Sequence, residues 1–432
     1  MNKILETKSK NFDYEFKKVL KKRNSNNVEI EKVVQKILLD VKKNSDKAVI
    51  KFTKKFDNYN VSSFGQLKVT NDEINTAFKV SDNRLIAAIK KAYERIKNYH
   101  KRQLPKDDFY RDKEGVFLGS KWNPIDSVGL YVPGGTASYP SSVLMNAIPA
   151  IVAGVKRIAM VVPTQKGKIN PSILAVAKVL GINEIYKIGG AQAIGALAFG
   201  TKSIKKVDKI CGPGNAYVAS AKKNVFGTVG IAMIAGPSEI LVVADEGNNP
   251  KHIAIDLLSQ AEHDKLAQSI LITPSRIFAE KVESEINIEL KKLSRADIAK
   301  KSWRDYGRII VIKNISECVN LINLIAPEHL ELTINNADRI LKKINNAGAI
   351  FLGKHTPEAI GDYIAGPNHV LPTDRTSKFS SGLNVLDFMK RTSVVRCDLK
   401  SLKEIGPDAI VLAEEEGLGA HALSISTRIQ KK

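Results

Sequence analysis

Four of the seven histidines stand in short polar strings near Gln, Glu or Asp. The strings are Ser259-Gln260-Ala261-Glu262-His263, Ala326-Pro327-Glu328-His329-Leu330, Gly361-Asp362-Tyr363 followed by Asn368-His369, and Glu416 followed by His421. Imidazole is a common metal ligand and the usual proton carrier near neutral pH. Scarce histidines spent beside Gln, Glu and Asp point to an active site with a metal and a base. Gln260 and His263 lie three apart in a helical pattern, so they share a face. Asp362 and His421 would complete an N2O2 set. Imidazole and oxygen without thiolate suits zinc, with manganese or cobalt as alternatives. The bland alternative for Gln260 and His263 is a polar helix end in solvent.

Pro327 biases Ala326 toward extended backbone, away from the right-handed helical region. In an extended stretch Glu328 and His329 point to opposite sides. Two separate roles in proton transfer then follow more naturally than one hydrogen-bonded dyad. An exposed Glu-His pair on a loop is the competing reading.

The middle of the chain carries three glycine-rich strand-to-helix turns: Pro133-Gly134-Gly135, Gly189-Gly190 and Gly212-Pro213-Gly214. Glycine lets backbone N–H groups approach a phosphate, and a helix start favours anions. None of the turns matches G-x-G-x-x-G, and no acid stands at the usual ribose position. Tyr131 could stack or hydrogen-bond beside the first turn. Gln192 and Asn215, just inside helix starts, could reach a ribose or a nicotinamide amide. Plain turn chemistry and backbone capping are the alternatives.

The elements that position these residues alternate from Ser127 onward. Val128–Val132, Ile158–Val162, Glu184–Ile188, Val207–Ile210, Ile240–Ala244, Ile270–Thr273, Arg308–Ile312 and Ala349–Leu352 read as strands, with helical patterns between them. Such alternation predicts parallel sheets covered by helices on both faces. Before Ser127 the pattern is helical: an arm over residues 1–24, a stretch over 28–56 ending at Asp57-Asn58, and an amphipathic helix with Leu85, Ile89, Ala92 and Ile96 on one face. After 383 the pattern is less regular and ends in a helix around 408–416.

Length and composition bound the rest. A chain of 432 residues builds two or three domains. No apolar run approaches the ~18 residues of a membrane helix. The N-terminus shows no apolar signal region, which leaves the cytoplasm as the expected location. Cys211, Cys318 and Cys397 are too few and too widely spaced for a disulfide framework. Cys211, beside Gly212-Pro213-Gly214, could serve as a nucleophile, against the blander reading of a buried thiol. The net charge of +22 comes from 67 basic against 45 acidic residues. The lysines are scattered and no aromatic-interleaved stripe appears, so nucleic acid is not an expected partner.

Together these strings resemble histidinol dehydrogenases. The matching stretches are Val128–Gly135, Ile188–Ala198, Lys209–Asn215, Ala235–Glu239, Leu258–His263, Ala326–Leu332, Gly361–Thr373 with Gly353, and Glu416–His421, with weaker likeness at Asp46–Asp57. The resemblance implies four-electron oxidation of L-histidinol to L-histidine through the aldehyde, with two NAD, as the last step of histidine biosynthesis. It implies one zinc held by Gln260, His263, Asp362 and His421, and NAD contacts from Tyr131, Gln192 and Asn215. Ser238, His329, His369 and Glu416 would touch substrate alongside the metal ligands. His329 would be the general base, and Glu328 would activate water. The implied architecture is two incomplete Rossmann-like parallel-sheet domains, aldehyde-dehydrogenase-like, with small helical segments at both ends. The first domain would comprise 25–130 and 238–382, and the NAD-binding domain 131–237. Residues 383–432 would reach a partner subunit's site in a homodimer. The glycines of Gly417-Leu418-Gly419 depart from the family pattern and could loosen the loop that presents His421. A zinc hydrolase, a nucleic-acid binder and an aldehyde dehydrogenase using Cys211 are the rival readings.

Overall fold

In the computed structural model, residues 4–21, 28–133, 139–234 and 236–430 are described. Gly134, Gly135 and Ala235 of the matching stretches, and residues 1–3 and 22–24 of the arm, lie outside them.

The chain opens with β1 (Ile4–Glu6) and α1 (Phe12–Val19). The arm is therefore not wholly helical: Ile4–Glu6 pair as a strand, because this short apolar start finds a parallel edge to extend. Four helices follow: α2 (Val28–Asn44), α3 (Asp46–Asp57), α4 (Asn71–Val80) and α5 (Asn83–Lys101). The single helical stretch expected over 28–56 is broken at Ser45, whose φ is 54°. Ile86, Ile89, Ala92 and Ile96 form the buried stripe of α5.

Next come β2 (Asp108–Arg111), β3 (Phe117–Pro124) and β4 (Ser127–Tyr131). The alternating region holds α6 (Pro140–Ala153), β5 (Arg157–Val161), α7 (Pro171–Leu180), β6 (Glu184–Tyr186), α8 (Gly190–Phe199), β7 (Lys209–Cys211), α9 (Ala216–Val225) and β8 (Gly230–Ile231). A second alternating run holds β9 (Glu239–Ala244), α10 (Pro250–Ala261), β10 (Gln268–Thr273), α11 (Arg276–Glu289), α12 (Ala296–Tyr306), β11 (Arg308–Val311), α13 (Cys318–Ile325), β12 (His329–Thr333), α14 (Ala337–Leu341), β13 (Ala349–Leu352) and α15 (Glu358–Tyr363). The chain closes with β14 (Met389–Arg396), α16 (Leu399–Glu415) and α17 (Gly419–Ile429).

Two parallel sheets result. One has the order β6-β5-β4-β7-β8, the other β1-β11-β10-β9-β12-β13. Numbered along the chain, both contain the 3-2-1-4-5 order of an incomplete Rossmann sheet. Each reverses direction at its first strand, between β4 and β7 and between β9 and β12. Strand alternation divides their cores. Val128, Leu130, Met160 and Val162 meet α4 to α7, while Tyr131, Ala159 and Val161 meet α2, α3, α8 and α9. The helices of 28–101 thus pack on the five-stranded sheet. In the other sheet, Ile240 and Val242 face α10 to α12, and Leu241 and Val243 face α1 and α13.

A third sheet, β14-β3-β2, is antiparallel and joins the C-terminal segment to residues 108–124. Its largely exposed strands lack the apolar runs that marked the parallel strands, so the sequence pattern passes over them.

Candidate active site

The catalytic candidates gather at the amino-terminal edge of the six-stranded sheet. Glu239 begins β9, and His329 begins β12 beside it. Ala326 is not extended: its φ and ψ are 50° and 60°, left-handed, where it ends α13. Proline forbids only the right-handed region for its predecessor comfortably, and the helix end takes the left-handed alternative. Glu328 and His329 nevertheless lie close, with Glu328 Oε2 at 3.6 Å from His329 Nδ1. That is too long for a hydrogen bond. Each is held instead by the main chain of Glu239. Its N–H donates to Glu328 Oε2 at 2.8 Å, and its carbonyl lies 2.9 Å from His329 Nδ1. A carbonyl only accepts, so Nδ1 carries a proton, and when the ring is neutral the lone pair lies on Nε2.

His329 Nε2 faces Glu358 Oε1 at 3.5 Å and Asp362 Oδ1 at 3.7 Å. Atoms of these three residues lie within 4.8 Å of one another, a spacing that could hold a cation. Glu358 and Asp362 are four apart on α15 and share a face. The helix start is fixed by Glu331, whose Oε1 accepts from the Glu358 N–H at 2.5 Å. Gly361 lets α15 approach Phe351, since a Cβ there would stand 2.4 Å from the ring. Arg95 of α5 clamps the following turn through the carbonyls of Ile364 and Ala365, at 2.7 and 3.0 Å.

The remaining ligand candidates divide. Gln260 ends α10, which packs on α15, and both its amide atoms are buried without partners. His263 follows two residues after that helix, and burial pulls its imidazole below the usual range. The His369 Nδ1 lies 2.9 Å from the Asp362 carbonyl, and burial lowers it too. Ser238 immediately precedes β9, where its carbonyl accepts from the Gln268 N–H. Glu416 and His421 do not join this group within one chain: both stand exposed on the C-terminal helical segment.

Electrostatics fit these roles. Burial pushes the Glu328 carboxyl up to about 8, and Glu358 likewise to about 8. Burial depresses His329, but the charges of Glu328, Asp362 and Glu358 outweigh it and hold the imidazole well above its usual value. Burial also opposes ionisation of Asp362, yet contact with His329 and the neighbouring imidazoles keeps its carboxyl below the usual range. The Cys211 thiol is fully buried and pushed up to about 12 by burial, so it is no nucleophile at neutral pH.

The cofactor candidates lie at the carboxyl edge of the five-stranded sheet. Tyr131 ends β4, and its hydroxyl oxygen accepts from the Gly190 N–H at 3.1 Å. Gln192, in the first turn of α8, is buried, and neither amide atom has a partner among the described residues. Asn215 caps α9, its Oδ1 accepting from Tyr217 and Val218 N–H groups. The bland reading of Asn215 therefore holds for its oxygen, and only its NH2 group is left to reach a ligand. Gly212, at φ 100°, presses against the Tyr131 carbonyl, where a Cβ would stand 2.0 Å away. The buried Lys222 ammonium donates to the Gly212 carbonyl beneath this turn.

Glu239, Glu358 and Lys222 were not anticipated. The i, i+4 spacing of Glu358 and Asp362 was the one available signal; nothing local marks the other two. A cavity of about 200 Å³ opens at the opposite, carboxyl edge of the six-stranded sheet, lined by His252, Asp256, Glu331 and His355 among others. It contains none of the expected site residues.

Comparison with known proteins identifies the family. The family model for histidinol dehydrogenase matches residues 20–429. Histidinol dehydrogenase of Rhodospirillum rubrum is 54% identical over 99% of this chain and 98% of its own length. That of Agrobacterium fabrum is 52% identical over 98% of both. The crystal structure of histidinol dehydrogenase from Elizabethkingia anophelis superposes with a TM-score of 0.93 at 38% identity, covering 99% of this chain and 98% of the other. The chain belongs to the histidinol dehydrogenase family, a family of oxidoreductases.

Proposed function

We propose that the protein oxidises L-histidinol to L-histidine through L-histidinaldehyde, reducing two NAD, as the closing step of histidine biosynthesis. The observation that carries this reading is the His329 imidazole. Its Nδ1 is spent on the Glu239 carbonyl, and its Nε2, amid buried carboxyl groups, has no hydrogen-bond partner among the described residues. Once deprotonated, such a ring is a base aimed at a substrate proton.

The residues fit zinc. Gln260 presents a buried, unpartnered amide oxygen, His263 is held neutral by burial, and Asp362 is held ionised. Those are the forms in which each group ligates. Together with His421 from a second copy of the chain they make a four-ligand N2O2 set. Zinc held there supplies a Lewis acid that fixes the imidazole and amine of an amino alcohol. The unpartnered Gln192 amide and the Tyr131 and Asn215 side chains fit a nicotinamide dinucleotide, which accepts each hydride.

The chain's own residues move the protons. His329 Nε2 takes the hydroxyl proton as the carbinol carbon loses its first hydride. Glu328 takes a proton from water as that oxygen adds to the aldehyde carbon, and His329 returns its proton to the former carbonyl oxygen, which gives the gem-diol and frees Nε2. His329 then takes a hydroxyl proton of the gem-diol as the second hydride leaves, giving the acid. Ser238, His369 and Glu416 orient the substrate. Holding the aldehyde between steps keeps a reactive intermediate from solvent.

We read 383–432 as the segment that completes the partner's site in a homodimer. Val411, Leu412 and Leu423 are each more than 60% exposed, an apolar face suited to a second copy. No described helix is long and apolar enough to cross a membrane; we place the enzyme in the cytoplasm with its small-molecule substrate, without nucleic acid.

The deciding experiment counts NADH formed per histidinol consumed. Two supports the reading. One, or none, overturns it.

A further inference from the structure

In dinucleotide-binding Rossmann sheets, an acid that holds the adenosine ribose stands at the end of the second strand. That strand is β5 here, and it runs into Val162-Pro163-Thr164 with no acid. The structure brings a carboxylate to this place from another element. Asp57 ends α3, and its main-chain carbonyl accepts from the Lys166 N–H at 3.0 Å. It therefore stands against the loop that follows β5.

Asp57 is 6% exposed, and its Oδ2 has no hydrogen-bond partner among the described residues. Burial alone shifts its carboxyl, with no cation or donor offsetting it. Its charge acts on the Tyr131 phenol, whose oxygen holds the Gly190 N–H. Two more unpartnered buried side chains flank the same turn. Thr164 Oγ1 lies one residue after Pro163, which packs on Gly189. The Gln192 amide lies beside Gly190. A fold gains nothing from burying a lone carboxylate. Several unsatisfied groups around one glycine turn, including a lone acceptor, call for a ligand that brings hydroxyl donors.

We propose that Asp57 is the ribose-binding acid of this enzyme: its Oδ2 accepts from the adenosine ribose hydroxyls of NAD, Thr164 Oγ1 supports it, and it rejects a 2′-phosphate. The proposal rests on the reading of the Gly189-Gly190 turn as an NAD site. A 2′-phosphate would set like charges together in a site closed to water and remove the donor that Asp57 lacks.

The test is binding, measured by calorimetry on the full-length protein without histidinol. The wild type should bind NAD at least about tenfold tighter than NADP. Asp57→Asn should weaken NAD about tenfold and bring the two dinucleotides to within about threefold. Thr164→Val should weaken NAD without reversing the preference. Wild-type protein that binds NAD, with Asp57→Asn binding it equally and keeping the same ratio to NADP, overturns the proposal alone. Wild-type protein that binds no NAD overturns the cofactor reading together with it. If Asp57→Asn fails to fold, the wild type still decides: NADP bound as tightly as NAD overturns the role of Asp57.

Discussion

Glu328 and Glu239 hydrogen-bond each other's main chains across the start of neighbouring strands. The Glu239 N–H donates to Glu328 Oε2 at 2.8 Å, and the Glu328 N–H donates to Glu239 Oε2 at 3.3 Å. The same Glu239 carbonyl orients His329. One residue thus fixes both catalytic candidates, although neither bonds the other. Their chemistry should separate accordingly. His329→Asn should lower turnover of both histidinol and histidinaldehyde by about 100- to 10,000-fold. Glu328→Gln should slow the aldehyde far more than the alcohol in single-turnover NADH formation. Equal losses with both substrates would contradict separate roles.

Glu358 is one of the carboxylates that hold the His329 imidazole up. A base works only when deprotonated. Glu358→Gln removes one negative neighbour and lowers the pKa of the imidazole, so the acid limb of the kcat/KM profile should move to lower pH. A limb that stays in place, or moves upward, would show that Glu358 does not set the base.

Gln260 buries an amide with nothing to satisfy it. Gln260→Leu should leave the metal-free protein as stable or more stable, by about 1 kcal/mol. The same change should weaken zinc retention at least about tenfold, read by metal analysis after dialysis against a chelator. Chelation of the wild type should abolish turnover, and zinc should restore it. Wild-type zinc retention in Gln260→Leu would remove that residue from the ligand set.

Asp57 gives a pH signature in stability. Its carboxyl is pushed up to about 6 by burial, against ~3.9 in an unfolded chain. A raised carboxyl favours the neutral form on folding, so the penalty is full above pH ~6 and fades as the pH falls toward ~4. Asp57→Asn should therefore stabilise the fold at pH 7, by at most about 3 kcal/mol, raising the melting temperature there and leaving it unchanged near pH 4. An equal effect at both values would show that charge burial is not the cause.

His421 stands exposed in one chain, away from Gln260, His263 and Asp362. A shared site predicts complementation. Mixed dimers of His421→Asn and Asp362→Asn subunits should recover activity that neither variant has alone, about a quarter of wild type after random exchange of a two-fold dimer. Absence of recovery, with mixed dimers present, would place each site within one subunit.

The alternation of strands and helices from Ser127 onward was legible because apolar runs and glycine turns are local signals, and both parallel sheets follow from them. So were the candidate groups: Gln260-x-x-His263 and Glu328-His329 stand out by residue chemistry. The antiparallel strands β2, β3 and β14 were not legible, because largely exposed strands carry no apolar run. The strand at Ile4–Glu6 was not either, because its partner β11 lies 300 residues away.

What the sequence determined by itself is the inventory: which side chains can ligate, carry protons or cradle a phosphate, and which segments must be buried. Tertiary structure alone decided which of them meet. Glu239 becomes the support of Glu328 and His329 only when β9 lies beside β12. Asp57 becomes an orphaned acid only when α3 packs against the loop after β5. Those neighbours are set by sheet order and helix packing, long-range contacts whose geometry no short stretch of chain encodes.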